Sequence, residues 1–126
     1  MDLTMGTEQV GGTLVVRVVG DLDVATEPTF TAALRRFRLG DAPVVIVDLS
    51  GVTFLDARGL AALVRLRRRV NVHAGRLGLV TSPRVLTLLH LAGLDAVFEI
   101  FATAQDAIGY LADSAGYAPS SDQPRG

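Results

Sequence analysis

Four consecutive β-branched residues, Val44-Val45-Ile46-Val47, stand near the middle of a 126-residue chain. A short run that is apolar at both parities fits a strand buried in a sheet covered on both faces. The polar stretch Asp48 to Thr53 reads as a turn after it. Phe54-Leu55-Asp56 follows, and a periodic apolar pattern then runs from Asp56 to about Val72. Asp56 is placed as the N-cap of that helix, because a carboxylate there accepts from N–H groups that the first turn leaves unpaired. Val44 to Arg69 is therefore expected to hold a central strand, a loop and a helix N-terminus. Such an end carries partial positive charge, so it is a natural place for a partner or a phosphate.

On the N-terminal side, Leu3 to Val10 reads as a strand. Gly11-Gly12 is a hairpin turn, and Thr13 to Val19 is a second, Val-rich strand ended by Gly20. Asp21 to Ala25 is then a loop carrying two carboxylates. Thr26 is the expected N-cap of a helix with Glu27 and Pro28 in its first turn. Phe30, Ala33, Leu34 and Phe37 give that helix one apolar face, and Gly40 stops it.

In the helix after Asp56, the inward stripe is Leu60, Leu63, Leu66 or Arg67, and Val70. Arg58, Ala62, Arg65 and Arg69 form the opposite stripe, where Ala61 and Ala62 leave room for a partner helix. Gly75 ends the segment and Leu77 to Val80 is a fourth strand. Ser82-Pro83 starts a helix with Val85, Leu88, Leu89 and Ala92 on its apolar face and Gly93 at its C-terminus. Val97 to Phe101 is a fifth strand. Thr103 and Asp106 make a capping pair for a last helix that buries Ala107, Ile108, Leu111 and Ala115. The order ββαβαβαβα implies a small α/β single domain, residues 1–115, with a central mixed sheet and about four helices. Residues 116–126, rich in Gly, Pro, Ser and Asp, are expected to be a disordered tail.

Composition excludes several functions. The absence of cysteine removes thiolate catalysis and cysteine metal sites. His73 and His90 have no metal-ligand spacing, so neither a metal nor another cofactor is expected. There is no phosphate-binding glycine loop and no nucleophile elbow, and an enzyme is not expected. No apolar run approaches the roughly 20 residues that span a bilayer, and Met1-Asp2-Leu3-Thr4 lacks a signal pattern. A cytoplasmic protein without membrane insertion is the expectation.

The net charge of −1 conceals an uneven distribution. Between Asp56 and Asp95 there is no acidic residue, yet there are Arg58, Arg65, Arg67, Arg68, Arg69, Arg76 and Arg84. This segment reads as a basic surface, either solvated or facing an acidic protein or lipid headgroups. No aromatic residues interleave, so direct nucleic-acid binding is not expected. Asp21 and Asp23 read either as an acid–base pair or as loop carboxylates that cap or meet a partner.

Three segments together resemble the STAS domain (sulphate transporter and anti-sigma factor antagonist). Gly20-Asp21-Leu22-Asp23 is similar to the family's Gly-Glu-Leu-Asp box. Val45 to Leu66 resembles its strand followed by Asp-Leu-Ser-x-Val-x-Phe-x-Asp-Ser-Ser-Gly-Leu, and Ser82 to Asp95 resembles its third-helix segment. The resemblance, which spans about Val10 to Ala112, is to the bacterial anti-sigma factor antagonists. It implies a non-enzymatic module that binds an anti-sigma factor with a histidine-kinase-like ATPase fold and releases a sigma factor. In the family the first serine of the Asp-Ser-Ser-Gly box is phosphorylated, which breaks the complex. Here the box reads Asp56-Ala57-Arg58-Gly59, so the phosphoacceptor position has no hydroxyl. Ser50 and Thr53 are the nearby hydroxyls that could take its place. The resemblance implies a partner-binding face of Asp21, Asp23, Thr53, Asp56, Ala57 and Arg58, with Ala62, Arg65 and Arg69 on the following helix. The alternative is a STAS subunit of a lipid-transport complex, or a scaffold in a stress-signalling assembly.

Overall fold

A computed structural model describes residues 2–37 and 43–114. The elements are β1 (Leu3–Val10), β2 (Thr13–Leu22), α1 (Glu27–Arg35), β3 (Val44–Leu55), α2 (Ala57–Val72), β4 (Arg76–Val80), α3 (Pro83–Leu91), β5 (Glu99–Phe101) and α4 (Ala104–Ser114). The order is the expected one. The sheet runs β1-β2-β3-β4-β5, antiparallel at the β1–β2 hairpin and parallel elsewhere. Gly11 turns the hairpin at φ +59°. Two apolar layers flank the sheet. Leu14, Val16, Val45, Val47 and Leu79 pack with Phe30, Leu34, Leu63, Leu66 and Val85 of the helices on one face. Val15, Ile46 and Val80 pack with Ala107 and Leu111 of α4 on the other. The Val44–Val47 run is buried at both parities because both layers meet it.

The strands reach further than expected. Asp48 to Thr53 is not a turn, since β3 continues through it to Leu55. Two register shifts against β2 absorb extra residues, while Leu49 and Val52 stay buried. Asp48 and Ser50 instead bond each other, the Ser50 hydroxyl donating to Asp48 Oδ1 at 2.6 Å. Likewise β2 does not end at Gly20. At φ +107°, with a Cβ position only 2.2 Å from the Asp2 carbonyl oxygen, Gly20 lets the strand bend and pair on through Asp21 and Leu22. Asp21 therefore lies in a strand and not in a loop.

Helix ends are mostly as expected. Ser82 Oγ accepts from Val85 N–H at 3.3 Å, and Thr103 Oγ1 from Asp106 N–H at 3.1 Å. Gly93, at φ +74°, closes α3 with paired bonds from Gly93 N–H to the His90 carbonyl and from Leu94 N–H to the Leu89 carbonyl. Ala92 is exposed, and Leu94 takes its place against the core. The fifth strand holds only Glu99–Phe101, because Val97 closes a turn onto Leu94 and Phe98 drops into the core. In α2, Leu66 faces inward and Arg67 outward. Gly40, Ala115 and residues 116–126 lie outside the described residues.

Candidate functional site

The carboxyl ends of β2 and β3 lie side by side, with Leu22 paired to Leu55. The segments leaving them, 23–26 and 56–57, meet at the start of α2. Carboxyl ends of parallel strands are where α/β sheets place their binding surfaces. Asp56 holds the two segments together. Its Oδ1 accepts from Gly59 N–H and its Oδ2 from Val24 N–H, both at 3.0 Å, and its own N–H donates to the Leu22 carbonyl at 3.3 Å. Asp56 is thus the expected N-cap and also a tie to the neighbouring loop. Replacing Asp56 by alanine should cost about 2 kcal/mol, the cap plus a second charge-assisted bond. Urea unfolding measures it, and a loss no larger than that of an ordinary surface change would show that water replaces the carboxylate freely.

Asp21 and Asp23 do separate work and form no acid–base pair. Asp23 Oδ1 accepts from Ala25 N–H at 3.0 Å and Thr26 N–H at 3.1 Å, which folds the loop into α1. Thr26 itself makes no side-chain cap; its hydroxyl donates to the Asp21 carbonyl at 2.7 Å and accepts from Asp23 N–H at 3.0 Å. Asp23 instead ties down the loop before α1, its carboxylate holding two amides and its carbonyl accepting from Glu27 N–H at 2.8 Å. Asp21 Oδ1 accepts from the Thr53 hydroxyl at 2.8 Å, and Arg84 of α3 donates to the Thr53 carbonyl at 3.1 Å. Arg84 thus joins a third element to this surface. Its contact could not be read from the sequence, since it depends on where α3 lands.

Ala57 is exposed at the first position of α2 and presents only a methyl group. Arg58, beside it, turns toward α1, 3.8 Å from the Glu27 carboxylate, and Arg65 reaches the same carboxylate at 3.1 Å. The Glu27 side chain is only 10 % exposed. This explains an arginine at a helix N-terminus, where the macrodipole disfavours it by about 0.3–1 kcal/mol: Glu27 lies close enough to offset that cost. The stripe of Arg58, Ala62, Arg65 and Arg69 is consequently divided, with Arg58 and Arg65 tied to α1 while about half exposed. Ala62 is buried, and Phe30, Leu34, Ala62 and Leu66 line one crevice between α1 and α2. Of the room expected for a partner helix, α1 takes the part over Ala62, while Ala61 stays exposed. Arg69 is half-buried, three turns away from the Asp56 loop.

Two apolar side chains complete the surface. Val24, whose N–H bonds Asp56, is 58 % exposed, and Phe54, two residues before Asp56, is 50 % exposed. Phe54 was legible only once β3 was known to run through to Leu55. No potential metal cluster occurs among the described residues, and none of their helices is long and apolar enough to cross a membrane.

The family model of the STAS domain matches residues 4–107. This chain belongs to the STAS domain family. The STAS domain here is 27 % identical over 107 residues to the anti-sigma-F factor antagonist RsfB of Mycobacterium tuberculosis, covering 84 % of this chain and 87 % of that one. A crystal structure of an anti-sigma factor antagonist from Mycobacterium paratuberculosis superposes with a TM-score of 0.79 at 31 % identity, over 87 % of this chain and 94 % of that one. The anti-sigma factor antagonist SpoIIAA in its unphosphorylated form shares the fold at 23 % identity, with a TM-score of 0.69 over 91 % of this chain and 99 % of that one. SpoIIAA has also been solved in a phosphorylated form.

Proposed function

We propose that this STAS domain is a non-enzymatic anti-sigma factor antagonist. It binds an anti-sigma factor with a histidine-kinase-like ATPase fold through the α2 N-terminal surface and thereby releases a sigma factor. The observation that carries this reading is the make-up of that surface. Asp21, Thr53, Asp56, Ala57 and Arg58, with exposed Val24 and Phe54, lie where β2 and β3 end and α2 begins, and so bring polar and apolar side chains together as protein interfaces do. Relatives at 27 % and 31 % identity are named for this activity.

Regulation departs from the family's. Ala57 occupies the phosphoacceptor position and has no oxygen to phosphorylate. The Ser50 hydroxyl is engaged with Asp48, and the Thr53 hydroxyl with Asp21. With Ala57 in place the α2 start stays in its binding-competent state, and control passes to protein abundance, to a third component or to the exposed Ser50 and Thr53 hydroxyls. Substitution tests both points. Ala57→Asp places a charge at the interface and should weaken binding to the cognate anti-sigma factor by about tenfold or more. Ala57→Ser should become phosphorylatable if the partner is a kinase, and ATP should then dissociate the complex. Titration calorimetry and intact-mass spectrometry give the two readouts. An Ala57→Asp variant that binds as tightly as the parent would mean that this loop is not the interface, and the transport-subunit or scaffold alternative would take over.

A further inference from the structure

The second half of α2 carries a surface with its own chemistry. Arg65, Arg68, Arg69, Val72 and His73 line a groove of about 350 Å³ on the outer side of the helix. Val72 is 77 % exposed and supplies the apolar part of that lining. The whole of α2 holds five arginines and no acidic residue, while the chain as a whole has a net charge of −1. Positive charge is thus concentrated here. Among the described residues, Glu27 is the carboxylate within ion-pair reach of α2, and it is engaged by Arg58 and Arg65. Arg68 and Arg69 face no carboxylate among the described residues. Arg65 lies three residues from Arg68 and four from Arg69, spacings at which like charges repel along a helix. An anionic ligand would relieve that repulsion.

We propose that this groove is a second docking surface, for an acidic amphipathic helix of a protein partner. Carboxylates of that helix would meet Arg68 and Arg69, and one apolar side chain would seat against Val72 and the aliphatic stems of the arginines. Charge complementarity selects an acidic occupant. The lining selects among acidic occupants. A single-stranded nucleic acid would call for aromatic side chains to stack on, and none lines the groove. A bilayer surface would call for several bulky apolar side chains to insert, and Val72 is the one apolar residue in the lining. Arg68 is eleven residues beyond Ala57, about 17 Å along the helix axis. The groove is therefore distinct from the Asp56 loop and stands whether or not that loop binds an anti-sigma factor.

The probe is a fluorescein-labelled helical peptide with leucine along one face and glutamate along the other. It is titrated with the full chain and followed by fluorescence anisotropy. Binding should weaken steadily with added salt. Arg68→Glu combined with Arg69→Glu should reduce affinity by about tenfold or more, and Val72→Gln should reduce it less. Ala57→Asp should leave it unchanged, which separates this groove from the loop. If the charge reversals disturb folding by circular dichroism, Arg68→Gln with Arg69→Gln gives the same reading at smaller amplitude. The proposal is overturned if the charge variants bind the peptide as tightly as the parent, or if a scrambled peptide of equal composition binds equally well. Loss of binding in Ala57→Asp overturns it too, as does tighter binding to duplex DNA or to vesicles of phosphatidylglycerol and phosphatidylcholine.

Discussion

Replacing Gly59 by alanine is expected to destabilise the domain by about 3 kcal/mol, a large effect for one methyl group. A Cβ built on Gly59 would stand 2.4 Å from the Leu22 carbonyl oxygen and 2.9 Å from Leu55 Cδ1. The carbonyl is backbone at the end of β2 and cannot turn aside like a flexible side chain. It also accepts the Asp56 N–H, so the helix start and the strand end are locked at close range. To make room, the first turn of α2 must lift away from β2, which strains the Asp56 bonds to Val24 and Gly59 at the same time. Urea unfolding with an unchanged slope reports the loss. Hydrogen exchange at the Val24 amide should accelerate in parallel. The internal control is Gly109 in α4, where a Cβ meets nothing within 4 Å. There alanine should be neutral or stabilising by up to about 1 kcal/mol, through helix propensity alone. A Gly59→Ala protein no less stable than Gly109→Ala would mean that the close approach of α2 to β2 is not as described.

The second large effect concerns Glu27. Removing Arg58 and Arg65 together, each as alanine, should cost about 2 kcal/mol. The two guanidiniums are about half exposed, which limits what each ion pair contributes. The carboxylate they serve is not. With both gone, Glu27 keeps, among the described residues, only the Thr31 hydroxyl as a side-chain donor in a nearly buried position. Leaving a desolvated charge unpaired costs more than the pair contributes when whole. The loss should exceed the sum of the two single substitutions, because either arginine alone still neutralises Glu27. Adding Glu27→Gln to the double variant should restore part of the stability by removing the stranded charge. Strict additivity, or no recovery with Glu27→Gln, would show that water already compensates this carboxylate. The result bears on binding too, since Arg58 meets Glu27 through one nitrogen at 3.8 Å and keeps half of its side chain open to a partner.

Much of this molecule is determined by local sequence alone. The Val44–Val47 run, the Asp56 cap, Ser82-Pro83, Gly93 and the Thr103 cap each express a preference that acts within a few residues, and each stands where the sequence puts it. The element order follows from those preferences, and with it the mixed sheet. What the tertiary structure decided are the contacts made between segments distant in the chain. Asp48 to Thr53 looks like a turn because its polar residues are weighed without knowing that β2 pairs alongside and absorbs the irregularities as bulges. Asp21 looks like a loop residue until Gly20 is seen to bend the strand without ending it. Helical periodicity places Arg58, Ala62, Arg65 and Arg69 on one stripe, but it contains no term for a second helix approaching that side. That Ala62 is covered by α1 and that Glu27, some 38 residues before Arg65, claims two of the arginines are long-range facts. They decide how the charges are shared, because an arginine paired to a nearly buried carboxylate stays half exposed, while the carboxylate itself is closed to any partner.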